Sequence, residues 1–236
     1  GGASSTGSGT DAGRRHRQHG GRTRSPVSAL LSSPAVRMGG SVAVATGLYG
    51  ISFGALAVAA GLDRLQAQAL SAIMFTGGSQ FAFIGTLGGG GAAALAAASL
   101  LGVRNAVYGA QLNAVFSPKA VLRPLMAHLS IDESFATAMA QDDDRERRLG
   151  FWSAGIGVFV LWNLCTFLGA WAGDAMGDPR VWGLDGAAVA AFLGLLWPRL
   201  RNRDAAALAV ACALVSVLAV PFAPPGLPLL LAGLVA

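Results

Sequence analysis

The sequence has few charged residues for its length. Only 12% of its 236 residues are Asp, Glu, Lys or Arg, whereas charged residues make up about a quarter of a typical soluble domain. Four uncharged runs, at 38–62, 65–103, 149–173 and 205–236, reach or exceed the roughly 20 residues that a helix needs to cross a bilayer. This shortage of charge argues against a soluble enzyme and predicts an integral membrane protein.

Catalytic and metal-binding patterns are also missing from the sequence. Cys165 and Cys212 both lie in apolar runs, so neither a structural disulfide nor a metal site is expected. His16 and His19 have no cysteine or carboxylate cluster beside them, and the tetraglycine at 88–91 is not followed by the Lys and Ser or Thr of a phosphate-binding loop. We therefore predict a protein that is not an enzyme and that uses no metal and no cofactor.

The N-terminal segment is polar and basic. Residues 1–33 are rich in Gly, Ser, Arg and Thr, a composition typical of a disordered tail. The net charge of +5 does not indicate nucleic-acid binding, because the basic residues lie in this tail and in short loops, as expected for cytoplasmic segments of a membrane protein. We predict a disordered cytoplasmic tail at 1–33 and a transmembrane domain at 34–236. Because the first residue is Gly, we expect the natural start of the chain to lie upstream.

The apolar runs predict an all-α, polytopic bundle of about seven transmembrane helices, at least one of them discontinuous or re-entrant. The final segment, 227–236, is too short to cross unaided. We find no convincing internal repeat, and we expect Gly47, Gly50, Gly54 and Gly61 to allow close helix packing. An acid-rich loop at 174–185 is expected outside and a basic loop at 199–203 inside. The predicted spans are 36–60, 66–87, 92–116, 121–140, 151–171, 186–197 and 205–220.

A polar break interrupts the second predicted span. Gly77, Gly78, Ser79 and Gln80 stand midway along an uncharged stretch. Unpaired backbone groups at membrane depth are tolerated only where protein or a water-filled cavity surrounds them. We therefore predict that these four residues line a substrate path.

The third predicted span carries a polar stripe. Arg104, Tyr108 and Gln111 share one helical face, with Asn105 and Asn113 nearby. An arginine in hydrocarbon costs a few kcal/mol on insertion scales and usually faces the bundle or a wet cavity. The alternative is an interfacial arginine whose charged end reaches the water.

The fourth segment is polar for a span. Residues 121–140 contain Arg123, His128, Asp132 and Glu133 among apolar side chains. If the basic tail is cytoplasmic, the third span ends on the far side, and the basic cluster at 145–148 belongs inside, so one further crossing is needed. We predict that 121–140 crosses or re-enters deeply, with both carboxylates near or within the membrane. A surface amphipathic helix is the alternative.

Four stretches together resemble the AzlC family of branched-chain amino acid permeases. They are GLYGISFG at 47–54, FTGGSQF at 75–81, LSIDESFA at 129–136 and WGLD at 182–185, in that order. One departure lies at 102–105, where the family's Asn-x-Arg-His pattern reads Gly-Val-Arg-Asn. The resemblance covers most of the chain after residue 36 and implies a permease domain there.

The resemblance implies a multi-pass transporter in the bacterial cytoplasmic membrane, with a cytoplasmic N-terminus. It would export leucine, isoleucine, valine and methionine with the proton gradient, together with a small hydrophobic partner of the AzlD type. A non-transporting scaffold or sensor subunit, whose polar residues only pair internally, is the alternative. Gly77, Gly78, Ser79, Gln80, Arg104, Asn105 and Tyr108 are the expected substrate or translocation residues, and Asp132 and Glu133 are the expected ammonium or proton-coupling groups.

Overall fold

In a computed structural model of the chain, the described residues are 26–176, 181, 193, 196–197, 199–223 and 227–235. All regular secondary structure in them is helical. The helices are α1 (Pro26–Leu31), α2 (Pro34–Ala59), α3 (Arg64–Ile73), α4 (Gly77–Thr86), α5 (Gly91–Phe116), α6 (Arg123–His128), α7 (Asp132–Met139), α8 (Asp144–Met176), α9 (Arg203–Ala219) and α10 (Leu227–Val235). Most of the predicted loop and span at 174–197, the stretch at 182–185 and tail residues 1–25 lie outside the described residues.

The all-α prediction is confirmed for this part of the chain. Two helices, α2 and α8, are long and apolar enough to cross a membrane. Two such helices do not establish seven spans, so the seven-span count stays a prediction.

Helices α2 and α8 form a closely packed parallel pair. Ser33 and Pro34 begin α2, the Ser33 hydroxyl accepting a hydrogen bond from the Val36 N–H. A Cβ atom at Gly47 would lie 2.5 Å from Cβ of Leu161, and one at Gly54 would meet the backbone of α8 at Thr166. The residue numbers of the contacting positions increase along both helices, from Gly47 with Leu161 to Gly54 with Thr166. The two helices therefore run in the same direction. The predicted role in close packing is confirmed for Gly47, Gly50 and Gly54 and is wrong for Gly61, which follows the end of α2 and has no atom within 4 Å of a Cβ.

Helices α3 and α4 form a hairpin that turns back at its tip. Helix α3 begins within five residues of the end of α2 and is capped by Asp63, which accepts from the Gln66 N–H. It ends at the three-residue break 74–76. Helix α4 then runs antiparallel to α5 through a turn in which Gly90 has a φ of +97°. The hairpin therefore enters and leaves on the side where α2 ends.

Helices α6 and α7 form a second hairpin, which enters from the opposite side. The end of α5 lies beside the start of α8, where Arg148 donates to the Phe116 carbonyl at 2.9 Å. Another three-residue break, 129–131, separates α6 from α7. Position Gly155 of α8 contacts Leu129 at this tip, and Gly150 contacts Thr137 farther down α7. The second hairpin thus rises from the start of α8 and returns there.

This arrangement corrects two expectations and decides between the options for a third segment. Segment 66–87 does not cross as one interrupted span, because α4 reverses the direction of α3. As a result α5 ends on the side where α8 starts, and no further crossing is needed before 145–148. The segment 121–140 enters and leaves on one side of the structure, which agrees with the re-entrant option and not with a full crossing. Its tip is buried, with Ser130 and Ser134 at most 1% exposed, which argues against a surface helix.

The structure also contains an internal repeat, although the sequence alone shows no convincing one. Residues 34–86 and 91–139 each consist of a 26-residue helix followed by a hairpin of two short helices with a three-residue break. The two hairpins point in opposite directions. An aromatic pair recurs in both units: the rings of Phe53 and Phe81 are 5.5 Å apart, and those of Tyr108 and Phe135 are 4.4 Å apart. Inverted repeats of this kind are common in secondary transporters.

Candidate functional site

A cavity of about 290 Å³ lies where the two hairpin tips meet. Its size is at the lower end of small-molecule pockets, which are about 300 to 1,000 Å³. Helices α2, α5 and α8 supply the rest of its wall. The lining residues are Ala45, Thr46, Tyr49, Phe75, Thr76, Gly77, Gly78, Phe81, Arg104, Ile131, Asp132, Glu133, Val158 and Trp162.

The tip of the first hairpin presents the N-terminus of α4 to the cavity. The break itself is Met74, Phe75 and Thr76, and Gly77 and Gly78 form the first turn of α4 rather than the unwound backbone that the sequence predicted. Thr76 makes no side-chain cap, and no acidic residue stands in the first turn. The first N–H groups of a helix have no partner within it and carry a partial positive charge. This tip can therefore bind an anionic group.

Arg104 faces the cavity and pairs with the second hairpin. Its Nη2 lies 2.8 Å from Oδ2 of Asp132, and both side chains are about a third exposed, at 35% and 30%. A Cβ atom at Gly78 would lie 2.5 Å from the same Nη2 atom. Gly78 thus leaves the space through which the guanidinium reaches Asp132. The guanidinium therefore points into the cavity, as the prediction of an arginine facing the bundle had it.

Glu133 is the second carboxylate of the cavity. Its Oε1 accepts a long hydrogen bond of 3.5 Å from the Thr46 hydroxyl. Asp132 and Glu133 both stand in the first turn of α7, where a negative charge is stabilised by the helix dipole. The Ser134 hydroxyl also accepts the Ile131 N–H at 3.1 Å. The second tip therefore carries its own anions and a hydroxyl that accepts one of its backbone N–H groups.

Aromatic side chains form another part of the cavity wall. The ring of Tyr49 stacks on Phe81 with centroids 5.1 Å apart and meets Trp162 edge-on at 5.8 Å. The Tyr49 hydroxyl is buried without a hydrogen-bond partner in the described structure. Tyr49 stands inside the GLYGISFG stretch, so that motif was a signal for it. Trp162 lies in an uncharged run with no sequence signal at all.

Four predicted site residues lie behind the cavity wall. Ser79 is buried against Gly102 of α5, and Tyr108 stacks on Phe135. Asn105 lines a separate cavity of about 330 Å³ between α5 and α6. Gln80 is fully buried, and its amide bonds to protein groups rather than to the cavity. Of the nine predicted residues, the structure brings together Gly77, Gly78, Arg104, Asp132 and Glu133.

No group of three or more His, Cys, Asp or Glu residues within the described ranges is placed to hold a metal ion. The polar groups that line the cavity are one guanidinium, two carboxylates, three hydroxyls and a helix N-terminus. This set suits a small molecule that carries both charges and an apolar group.

A protein-family model described as AzlC protein matches residues 41–176, more than half of the chain. The matched residues run from α2 to α8 and include every helix that lines the cavity. No curated protein and no solved structure matches the chain.

Proposed function

The chain belongs to the AzlC family, and from this membership and the cavity we propose that it is a secondary transporter that exports branched-chain amino acids. We propose leucine, isoleucine, valine and methionine as substrates, the proton gradient as the driving force, and the bacterial cytoplasmic membrane as its location, with the N-terminus inside. A small hydrophobic subunit of the AzlD type completes the exporter in this proposal.

The observation that carries the proposal is the division of the cavity into a charged end and an aromatic end. An amino acid needs partners for its carboxylate and its ammonium group and a dry pocket for its side chain. The uncapped first turn of α4, at Gly77 and Gly78, together with Arg104, suits the carboxylate. Asp132 and Glu133 suit the ammonium group. The aromatic wall suits a branched apolar side chain.

Glu133 is the carboxyl group that we propose for proton coupling. Asp132 already has a cation at 2.8 Å, whereas Glu133 accepts a long hydrogen bond of 3.5 Å from the Thr46 hydroxyl. Ionisable residues inside membrane proteins commonly mark proton relays. A Glu133 that exchanges protons with both sides in turn would link substrate movement to the gradient.

The alternative, a scaffold or sensor subunit, predicts that the charged residues pair with one another and leave no cavity. The pairing of Arg104 with Asp132 agrees with it. The cavity beside that pair favours a transporter, because the Tyr49 hydroxyl and Arg104 Nε, both buried, have no protein partner in the described structure. Polar groups left in this way are usually completed by a ligand or water.

The test is efflux of labelled leucine from cells that co-express the small subunit. We expect Arg104→Gln and Gly78→Leu to reduce efflux by about 100-fold, which corresponds to about 2.7 kcal/mol of lost interaction. Gly85→Leu is the matched control, because no atom lies within 4 Å of a Cβ at Gly85. Wild-type efflux from Arg104→Gln and Gly78→Leu at equal protein levels would contradict the site.

Proton coupling is tested in liposomes that contain the purified exporter. We expect the direction of net leucine flux to reverse when the imposed pH gradient is reversed. Flux that ignores the gradient would identify a facilitator, and absence of flux with the partner present would favour the scaffold.

A further inference from the structure

We propose that Trp162 determines which amino-acid side chains the cavity accepts, and that Gln80 is a positioning residue that acts through Trp162. This inference rests on the proposed function. It concerns a residue of α8 that no sequence pattern indicates, and it gives Gln80 a role other than direct substrate contact.

Trp162 stands at the junction of the two ends of the cavity. Its ring lies 6.4 Å from that of Phe81 and 6.0 Å from that of Phe53, within the aromatic wall. Its Cη2 atom would lie 3.4 Å from a Cβ at Gly77, in the first turn of α4. A side chain that extends from a carboxylate bound at this turn therefore reaches the indole ring directly. The ring sets how far that side chain can extend.

Gln80 fixes the orientation of this ring. The indole Nε1 of Trp162 donates to Gln80 Oε1 at 2.9 Å. The Gln80 amide cannot turn over without loss, because its Nε2 donates to the carbonyls of Ser71 and Met74 at 3.2 and 2.7 Å. These two carbonyls lie at the end of α3, so one buried amide joins the hairpin tip to Trp162. The indole is held as a rigid wall.

A rigid wall discriminates by size. In a hydrophobic pocket one methylene changes specificity by about 10- to 200-fold, and this holds only where the pocket cannot adapt. Tight packing of Trp162, which is 3% exposed, prevents such adaptation. A shortened side chain at this position should admit larger substrates, and a ring that has lost its hydrogen bond should discriminate less well.

The chain provides matched controls for both residues. Trp171 lies on the same helix, is 59% exposed and does not line the cavity. Gln68 also joins the first hairpin to α8, through its Nε2 and Asn163 Oδ1 at 3.0 Å, and does not line the cavity either. Changes at these two positions remove the same kinds of side chain without touching the wall.

The experiment measures initial efflux rates of phenylalanine, leucine and valine in the co-expressed exporter. We expect Trp162→Leu to raise the ratio of phenylalanine to leucine efflux by about tenfold or more. Trp162→Phe and Gln80→Leu should each produce a smaller rise, and the double variant should show less than the sum of the two, because both variants lose the hydrogen bond between Trp162 and Gln80. Trp171→Leu and Gln68→Leu should leave the ratio unchanged.

Several results would overturn the inference. They are an unchanged ratio in Trp162→Leu, additive effects of Gln80→Leu and Trp162→Phe, or the same rise in Gln68→Leu. Thermal stabilisation of the purified variants by each amino acid provides a second readout for any variant with little flux. If the wild-type protein transports leucine but the ratio of phenylalanine to leucine efflux is the same in all variants, only this inference is refuted. If the wild-type protein neither transports nor binds any amino acid, the proposed function is refuted as well.

Discussion

The two hairpins share a shape and differ in the chemistry of their tips. Both have a three-residue break followed by a helix that begins at the cavity, α4 in one and α7 in the other. The first turn of α4 contains a glycine pair, no acid and no side-chain cap. The first turn of α7 contains Asp132 and Glu133, and the Ser134 hydroxyl in that turn accepts a hydrogen bond from the Ile131 N–H. One tip is open to an anion and the other is already filled by its own.

This difference explains how an internal repeat can produce a site for an asymmetric ligand. Two equal tips would offer two equal positive helix ends. With carboxylates on one tip, the cavity has one end for a negative group and one for a positive group. Substitutions at the first tip are therefore expected to affect the end for the negative group, and substitutions at the second tip the end for the positive group.

The largest effect is expected when the first tip is given the chemistry of the second. In the alignment of FTGGSQFA with LSIDESFA, Gly78 corresponds to Asp132. We expect Gly78→Asp to abolish leucine efflux, by about 100-fold or more, because a tethered carboxylate occupies the substrate's position and competes for Arg104. Gly78→Asn matches its size without the charge and should retain more efflux. Equal efflux from the two variants would show that volume alone matters at this tip.

A smaller effect is expected from separating the two acids of the second tip. Asp132→Asn removes the charged partner of Arg104 and should lower leucine efflux by about tenfold, close to the loss of one charge-assisted hydrogen bond. Glu133→Gln should retain binding of leucine and lose the response to a pH gradient in liposomes. Identical behaviour of the two variants would contradict the division of roles between these carboxylates.

A stability difference is expected between serines of the two tips. Ser134→Ala removes the hydrogen bonds of the Ser134 hydroxyl with the Ile131 N–H and the Leu129 carbonyl and should destabilise the protein by about 1 kcal/mol. Ser79→Ala should leave stability unchanged, because the Ser79 hydroxyl is buried with no hydrogen-bond partner in the described structure. Thermal unfolding of the purified variants in detergent measures both. A larger loss of stability in Ser79→Ala than in Ser134→Ala would refute the hydrogen bonds assigned to Ser134.

The smallest effect is expected at Gly77. A Cβ there would lie 3.4 Å from the Trp162 ring, which is ordinary contact, compared with 2.5 Å from Arg104 at Gly78. We expect Gly77→Ala to export leucine at close to the wild-type rate and Gly78→Ala to export it more slowly. The reverse order in the efflux assay would show that the guanidinium adapts more easily than the ring.

The sequence predicted the tips of the hairpins better than their course. The glycine pair and the acidic pair were visible because polar residues in apolar runs stand out. The reversal at each break was not, because the backbone direction after a break depends on packing against α5 and α8. Gln80 was predicted to contact substrate on its polarity alone, and only the positions of Trp162, Ser71 and Met74 show where its amide bonds are made.

The similar lengths of α4 and α7 have an electrical consequence for the proposed proton coupling. Glu133 contacts Thr46, the thirteenth of the 26 residues of α2, and α4 and α7 extend about 15 and 12 Å from the cavity at 1.5 Å per residue. If α2 spans the bilayer and Glu133 carries the coupling proton, as proposed, about half of the membrane voltage falls on each side of this carboxyl group. A proton that reaches it from either face gains or loses about 1.2 kcal/mol at 100 mV. In that proposal the proton crosses the membrane in two steps of similar voltage dependence.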